Sequence, residues 1–124
     1  MKTILIVEDQ QEVRELIRVT LRSGDYDIHQ ASSGREAVDM ARAIEPDLVI
    51  MDIMMPGEID GIEATRILRS GHKGPAPRIV MLTAKGQQVD RQAGMDAGAD
   101  DYFAKPFSPL ELIRKVEHLL EAAP

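Results

Sequence analysis

Thr3-Ile4-Leu5-Ile6-Val7-Glu8-Asp9, near the amino terminus, sets a strand-like apolar run directly against two carboxylates. Four consecutive large aliphatic residues suit a strand covered on both faces, as in a parallel sheet. Two later stretches repeat the pattern. Leu48-Val49-Ile50-Met51 runs into Asp52, and Ile79-Val80-Met81-Leu82 runs into Thr83. Asp27-Ala31 and Asp101-Ala104 are more polar, as expected of strands at the edges of a sheet.

Helix-like segments follow each strand. The first places Val13, Leu16, Ile17, Thr20 and Leu21 on one face, and the last does the same with Leu112, Ile113, Val116, Leu119 and Leu120. Asp9…Glu12, Ser33…Glu36, Asp60…Glu63 and Ser108…Glu111 have the spacing of capping boxes, the last with Pro109 at the first helical position. Lys85-Ala97 lacks such a box and carries Gly86 and Gly94, so it reads as the weakest helix. Gly71-Pro77, with two glycines and two prolines, reads as a loop. Five strand–helix alternations predict an α/β fold, a doubly wound five-stranded parallel sheet of order 2-1-3-4-5, flavodoxin-like in architecture, with residues 1–124 forming one domain.

That order brings the carboxyl ends of the central strands to one crevice, where sites form in open α/β sheets. Glu8 and Asp9 follow the first strand, Asp52 the third, Thr83 the fourth, and Lys105-Pro106 the fifth. Singly, each has an ordinary explanation. Asp9 could cap a helix, Glu8 could be a solvated strand end, Asp52 a turn residue, Thr83 a backbone-bonding hydroxyl and Lys105 an exposed cation. Together they form a three-carboxylate cluster, in which each pair repels by about 3 kcal/mol at about 5 Å and an effective dielectric near 20. Such a cluster calls for a cation. Oxygen donors without His or Cys favour a hard ion, Mg²⁺ or Mn²⁺. A carboxylate beside a metal ion and a lysine is suited to accept a phosphoryl group as an acyl phosphate.

At these residues the sequence resembles the receiver domain of two-component response regulators, the CheY-like family. The resemblance rests on Ile4-Leu5-Ile6-Val7-Glu8-Asp9, Asp52-Ile53-Met54-Met55-Pro56-Gly57, Met81-Leu82-Thr83-Ala84 and the Gly98–Phe107 stretch, and covers essentially the whole chain. It implies that Asp52 takes a phosphoryl group from a histidine kinase or phosphotransfer protein. It also implies that Glu8, Asp9, Asp52 and the Met54 main-chain carbonyl hold Mg²⁺, and that Lys105 and Thr83 bind phosphoryl oxygens. Tyr102 would turn with Thr83 and remodel the face of the fourth helix, fifth strand and fifth helix. The implied partners are that kinase and a downstream protein or output domain, with a phosphorylation-dependent dimer as a further expectation. The implied location is the cytoplasm, and the only chemistry implied is self-catalysed phosphoryl acceptance and slow autodephosphorylation. Lys105-Pro106 is expected to be cis. Three features depart from the family pattern: Glu8-Asp9 stands for the commoner Asp-Asp, the Gly57–Gly61 loop is one residue longer, and Met54 and Lys85 flank the pocket.

Composition excludes other classes. The chain has 124 residues, no cysteine and a net charge of −6, so disulfides and thiolate chemistry are excluded and direct nucleic-acid binding is not expected. No apolar run approaches a membrane span. Neither a Walker A motif nor a dinucleotide fingerprint is present, and His29, His72 and His118 lack ligand spacing. An aspartyl phosphatase would need an acid two residues after the nucleophile, where Met54 stands. A phosphorylation-independent binding module on the same fold is the other alternative. The cognate kinase and signal are not encoded here, and a stand-alone regulator and the amino-terminal part of a longer one both fit the tail Glu121-Ala122-Ala123-Pro124.

Overall fold

The computed structural model describes residues 1–70, 76–84 and 88–121. The elements alternate as β1 (Lys2–Val7), α1 (Gln11–Leu21), β2 (Tyr26–Ala31), α2 (Gly34–Ile44), β3 (Leu48–Asp52), α3 (Gly61–Ser70), β4 (Arg78–Ala84), α4 (Gln88–Asp96), β5 (Asp101–Lys105) and α5 (Pro109–Glu121). All neighbouring strands pair in parallel, in the order β2-β1-β3-β4-β5. The expected order is therefore observed. The expected strands are each present, extended by one to three residues.

Side-chain alternation along the central strands divides the core. Leu5, Val7, Val49, Met51, Ile79 and Met81 face α2 and α3, packing with Ala37, Val38, Ala41, Ala64 and Leu68. Ile4, Ile6, Leu48, Ile50, Val80 and Leu82 face α1 and α5, packing with Ile17, Leu21, Leu112, Val116 and Leu119. Because both faces are covered, the stretches Ile4–Val7, Leu48–Met51 and Ile79–Leu82 are wholly apolar, and polar residues fall only at the strand ends.

Three of the four expected capping boxes cap their helices. Ser33 Oγ accepts from the Glu36 N–H at 3.2 Å, and Asp60 Oδ1 from the Glu63 N–H at 2.9 Å. Ser108 Oγ lies 3.5 Å from the Glu111 N–H, a long contact. Asp9 is the exception. The cap position of α1 is Gln10, with no side-chain hydrogen bond. Leu16 also departs from its expected buried face, being 51% exposed, because the packed side of α1 runs along Val13, Ile17 and Leu21.

The predicted weak helix is observed as α4, which starts at Gln88. Gly94 packs directly over Met81, where an added Cβ would lie 3.2 Å from Met81 Cγ. The expectations for Lys85 and Gly86, for His72 and for most of the Gly71-Pro77 loop fall outside the described residues.

Candidate functional site

The three central strands deliver their terminal residues to one edge. Val7 pairs with Met51, so Glu8 and Asp52 follow side by side, and Asp52 pairs with Leu82, just before Thr83. Asp52 is the last residue of β3 and is buried at 3% exposure, so it is no turn residue. Ile53 N–H continues the ladder to the Leu82 carbonyl at 3.1 Å. Gly61, the first residue of α3, closes the loop with its N–H on the Ile53 carbonyl at 3.1 Å. The loop between them turns at Gly57, whose φ of 108° suits glycine, and is pinned by the buried Ile59 against Gly34.

Glu8, Asp9 and Asp52 each bring a carboxylate oxygen to within 4.8 Å of the others. This is why Asp9 does not cap α1: its carboxylate is gathered into the pocket. Lys105 Nζ donates to Glu8 Oε1 at 2.8 Å and lies 3.3 Å from Asp52 Oδ1, so it is no free surface cation. Asp52 Oδ1 also accepts the Met54 N–H at 3.3 Å. Met54 is 60% exposed, whereas Met55 is buried in the core that packs against α2 and α3. Among the described residues three buried side-chain polar atoms have no hydrogen-bond partner; two of them, Glu8 Oε2 and Thr83 Oγ1, lie at this site, and the third is Arg91 Nε. Thr83 is thus not a backbone-bonding hydroxyl.

Burial acts first on Glu8, which is wholly enclosed. It pushes the carboxyl from its usual value of 4.5 up to about 8; the neighbouring Asp52 carboxylate adds to the rise, and Lys105 opposes it without prevailing. Burial also opposes the charge on Lys105, but the hydrogen bond to Glu8 and the attraction of Asp52 outweigh it, raising its pKa.

The donor set fits a hard divalent cation. It offers only oxygen ligands, and it leaves a buried carboxylate oxygen unsatisfied, which a cation or its water would satisfy. Two predictions follow from the charges. For Glu8 the folded pKa exceeds the unfolded one, so the folded protein holds the extra proton between pH 4.5 and about 8. Its stabilising contribution is full below 4.5, declines across that window and is gone above about 8. Metal-free protein is therefore expected to lose thermal stability as pH rises from 5 to 8, and millimolar Mg²⁺ to restore it most at the alkaline end. Calorimetry with and without Mg²⁺ checks this. Asp9→Asn, with no cap to lose, is expected to stabilise the metal-free fold by roughly 0.5–1 kcal/mol, the scale of an exposed charge interaction. A lower unfolding midpoint would contradict it.

Among the described residues, no helix is long and apolar enough to cross a membrane. A family profile for the response regulator receiver domain matches residues 4–117. The chain belongs to this receiver family. It is 43% identical over 120 residues to the transcriptional regulatory protein ResD of Bacillus subtilis (strain 168), covering 97% of this chain and 48% of ResD. It is 42% identical over 117 residues to the transcriptional regulatory protein SrrA of Staphylococcus aureus (strain NCTC 8325 / PS 47), covering 94% and 47%. The chain thus spans about half the length of these relatives. Among solved structures, the receiver domain of NtrX from Brucella abortus superposes with a TM-score of 0.89 at 27% identity, covering 97% of this chain and 99% of that one. The receiver domain of the Francisella response regulator 1452 superposes at 0.86 and 29% identity, covering 98% of each. A receiver of this kind is a signalling module, not a conventional enzyme.

The receiver's cluster was legible from strand ends, but two of its supports were missed. Arg14 Nη1 donates to the Glu8 carbonyl at 2.8 Å, and Arg14 Nε to Gln30 Oε1 at 3.2 Å. The available signal was a cation in the first turn of a helix, where the dipole disfavours it. Arg91 is also new, its guanidinium carbon 4.6 Å from the centre of the Tyr102 ring.

Proposed function

We propose that Asp52 accepts a phosphoryl group from the phosphohistidine of a histidine kinase or phosphotransfer protein. The observation that carries this is the buried Asp52 flanked by Glu8, Asp9 and Lys105 at the carboxyl edge of the sheet. An Asp52 carboxylate oxygen attacks phosphorus, the P–O bond forms as the P–N bond breaks, and the departing imidazole keeps the electron pair and is protonated. Glu8, Asp9, Asp52 and the Met54 carbonyl would hold Mg²⁺, or Mn²⁺ in its place, whose charge offsets that of the phosphoryl oxygens. Lys105 leaves Asp52 and Glu8 to pair with one phosphoryl oxygen, and the unpartnered Thr83 hydroxyl donates to another.

The readout follows from Thr83. Moving its hydroxyl opens space that Tyr102, 38% exposed and under Arg91, can occupy. A cleft of about 690 Å³ bordered by Arg91, Tyr102, Lys105 and Arg114 would then change shape on the α4-β5-α5 face. A partner protein, an output domain or a second copy reads that face. A cytoplasmic location and one receiver domain over residues 1–124 accord with this role.

The test is incubation with acetyl phosphate and Mg²⁺, read by intact mass. Wild type is expected to gain one phosphoryl group and Asp52→Asn none. An adduct of equal extent in both would overturn the reading.

A further inference from the structure

The pair Glu8 and Asp9 sits in a stretch with few anchors of its own. Gln10 does not cap α1 with its side chain, and Asp9 is committed to the pocket. The carboxylates there repel one another, so mutual repulsion favours swinging the exposed Asp9 outward. Glu8 is nevertheless held from both sides of its main chain. Its N–H donates to the Ala31 carbonyl at the end of β2 at 3.1 Å, and its carbonyl accepts from Arg14 Nη1 at 2.8 Å. Arg14 is steadied in turn by Gln30, the residue before Ala31 on β2.

We infer that Arg14, braced by Gln30, is a positioning residue that clamps the Glu8–Asp9 main chain to β2 and so keeps the cation-binding carboxylates converged. The guanidinium supplies two donors in a fixed fork, one for each partner, which an ammonium cannot match with the same rigidity. The inference rests on the proposed Mg²⁺ role of the pocket. It carries a sign that separates it from electrostatics. A cation beside a cation site opposes Mg²⁺, so charge alone predicts that removing Arg14 tightens binding. A clamp predicts the reverse.

The experiment is calorimetric titration of the whole chain with Mg²⁺ at fixed pH, using wild type, Arg14→Ala, Arg14→Lys and Gln30→Ala. Arg14→Ala is expected to weaken Mg²⁺ binding about tenfold, the usual scale for residues that orient metal ligands. Gln30→Ala is expected to weaken it about threefold, and Arg14→Lys to recover part of the loss. A protein carrying both Arg14→Ala and Gln30→Ala should bind no more weakly than Arg14→Ala alone, since both act through one clamp. Equal or tighter binding by Arg14→Ala overturns the inference. Should Arg14→Ala fail to fold, unchanged binding by Gln30→Ala does so. A second readout needs no metal: exchange of the Glu8 amide, which is bonded to the Ala31 carbonyl, should accelerate in the folded variants while exchange in β3 holds. If wild type itself binds no Mg²⁺, the proposed function fails, and the clamp is judged by exchange alone, where unchanged protection overturns it.

Discussion

Gly61→Ala is expected to destabilise the protein by about 3 kcal/mol, lowering the thermal midpoint by on the order of 10 °C, and to impair phosphoryl acceptance. The cause is local. A Cβ on Gly61 would lie 2.0 Å from the Asp52 carbonyl oxygen and 2.8 Å from its carbonyl carbon and from Ile53 Cα. These are backbone atoms of the strand end that carries Asp52, so no rotamer change relieves the clash. Either α3 lifts away or the end of β3 shifts, and both disturb the pocket. Gly57→Ala is the control. Its φ of 108° makes alanine strained, but nothing lies within 4 Å, so it should cost only about 1–2 kcal/mol. Denaturant unfolding of the two variants checks the order; equal losses would mean that the Gly61 contact does not matter.

Lys105→Met should slow phosphoryl acceptance from acetyl phosphate by about 10²–10³-fold at saturating Mg²⁺, the scale of losing one donor that stabilises developing charge. Its effect on stability is expected to be smaller and to depend on pH. Breaking a buried ion pair commonly costs about 3–5 kcal/mol, because the remaining charge is left unpaired. Glu8 escapes that penalty at pH 6, because burial already keeps its carboxyl protonated up to about 8. The loss there should be about 2–3 kcal/mol, from the hydrogen bond to Glu8 and from the buried Asp52 carboxylate left without its cation at 3.3 Å, and should grow at pH 9. A phosphorylation rate within a few-fold of wild type would remove Lys105 from the site.

The fold was legible because both sheet faces are covered. Leu5, Val7, Ile4 and Ile6 must all be apolar, so the strands stand out, and the more polar Tyr26–Ala31 and Asp101–Lys105 fall at the edges where the structure places them. The cluster was legible for the same reason: once strand order is known, the first residues past Val7, Met51 and Leu82 must meet. Less was legible where one residue had two possible uses. Asp9…Glu12 has capping-box spacing, but the Asp9 carboxylate is drawn to Glu8 and Asp52 instead. Leu16 matches the apolar period of α1, yet the helix rests on Ile17 and Leu21 and turns Leu16 outward. The Arg14–Gln30 contact joins residues sixteen apart through the packing of α1 beside β2, which periodicity does not encode.

The central claim concerns one carboxylate, and trapping that carboxylate tests it most directly. Protein treated with acetyl phosphate and Mg²⁺, then reduced with borodeuteride, should convert its acyl phosphate to an alcohol that retains deuterium. Peptide mass spectrometry is expected to find the label at Asp52, in the stretch that runs on through Met54, and to find none when Mg²⁺ is withheld. Label at Glu8, at Asp9 or at no carboxylate of the pocket would contradict the account.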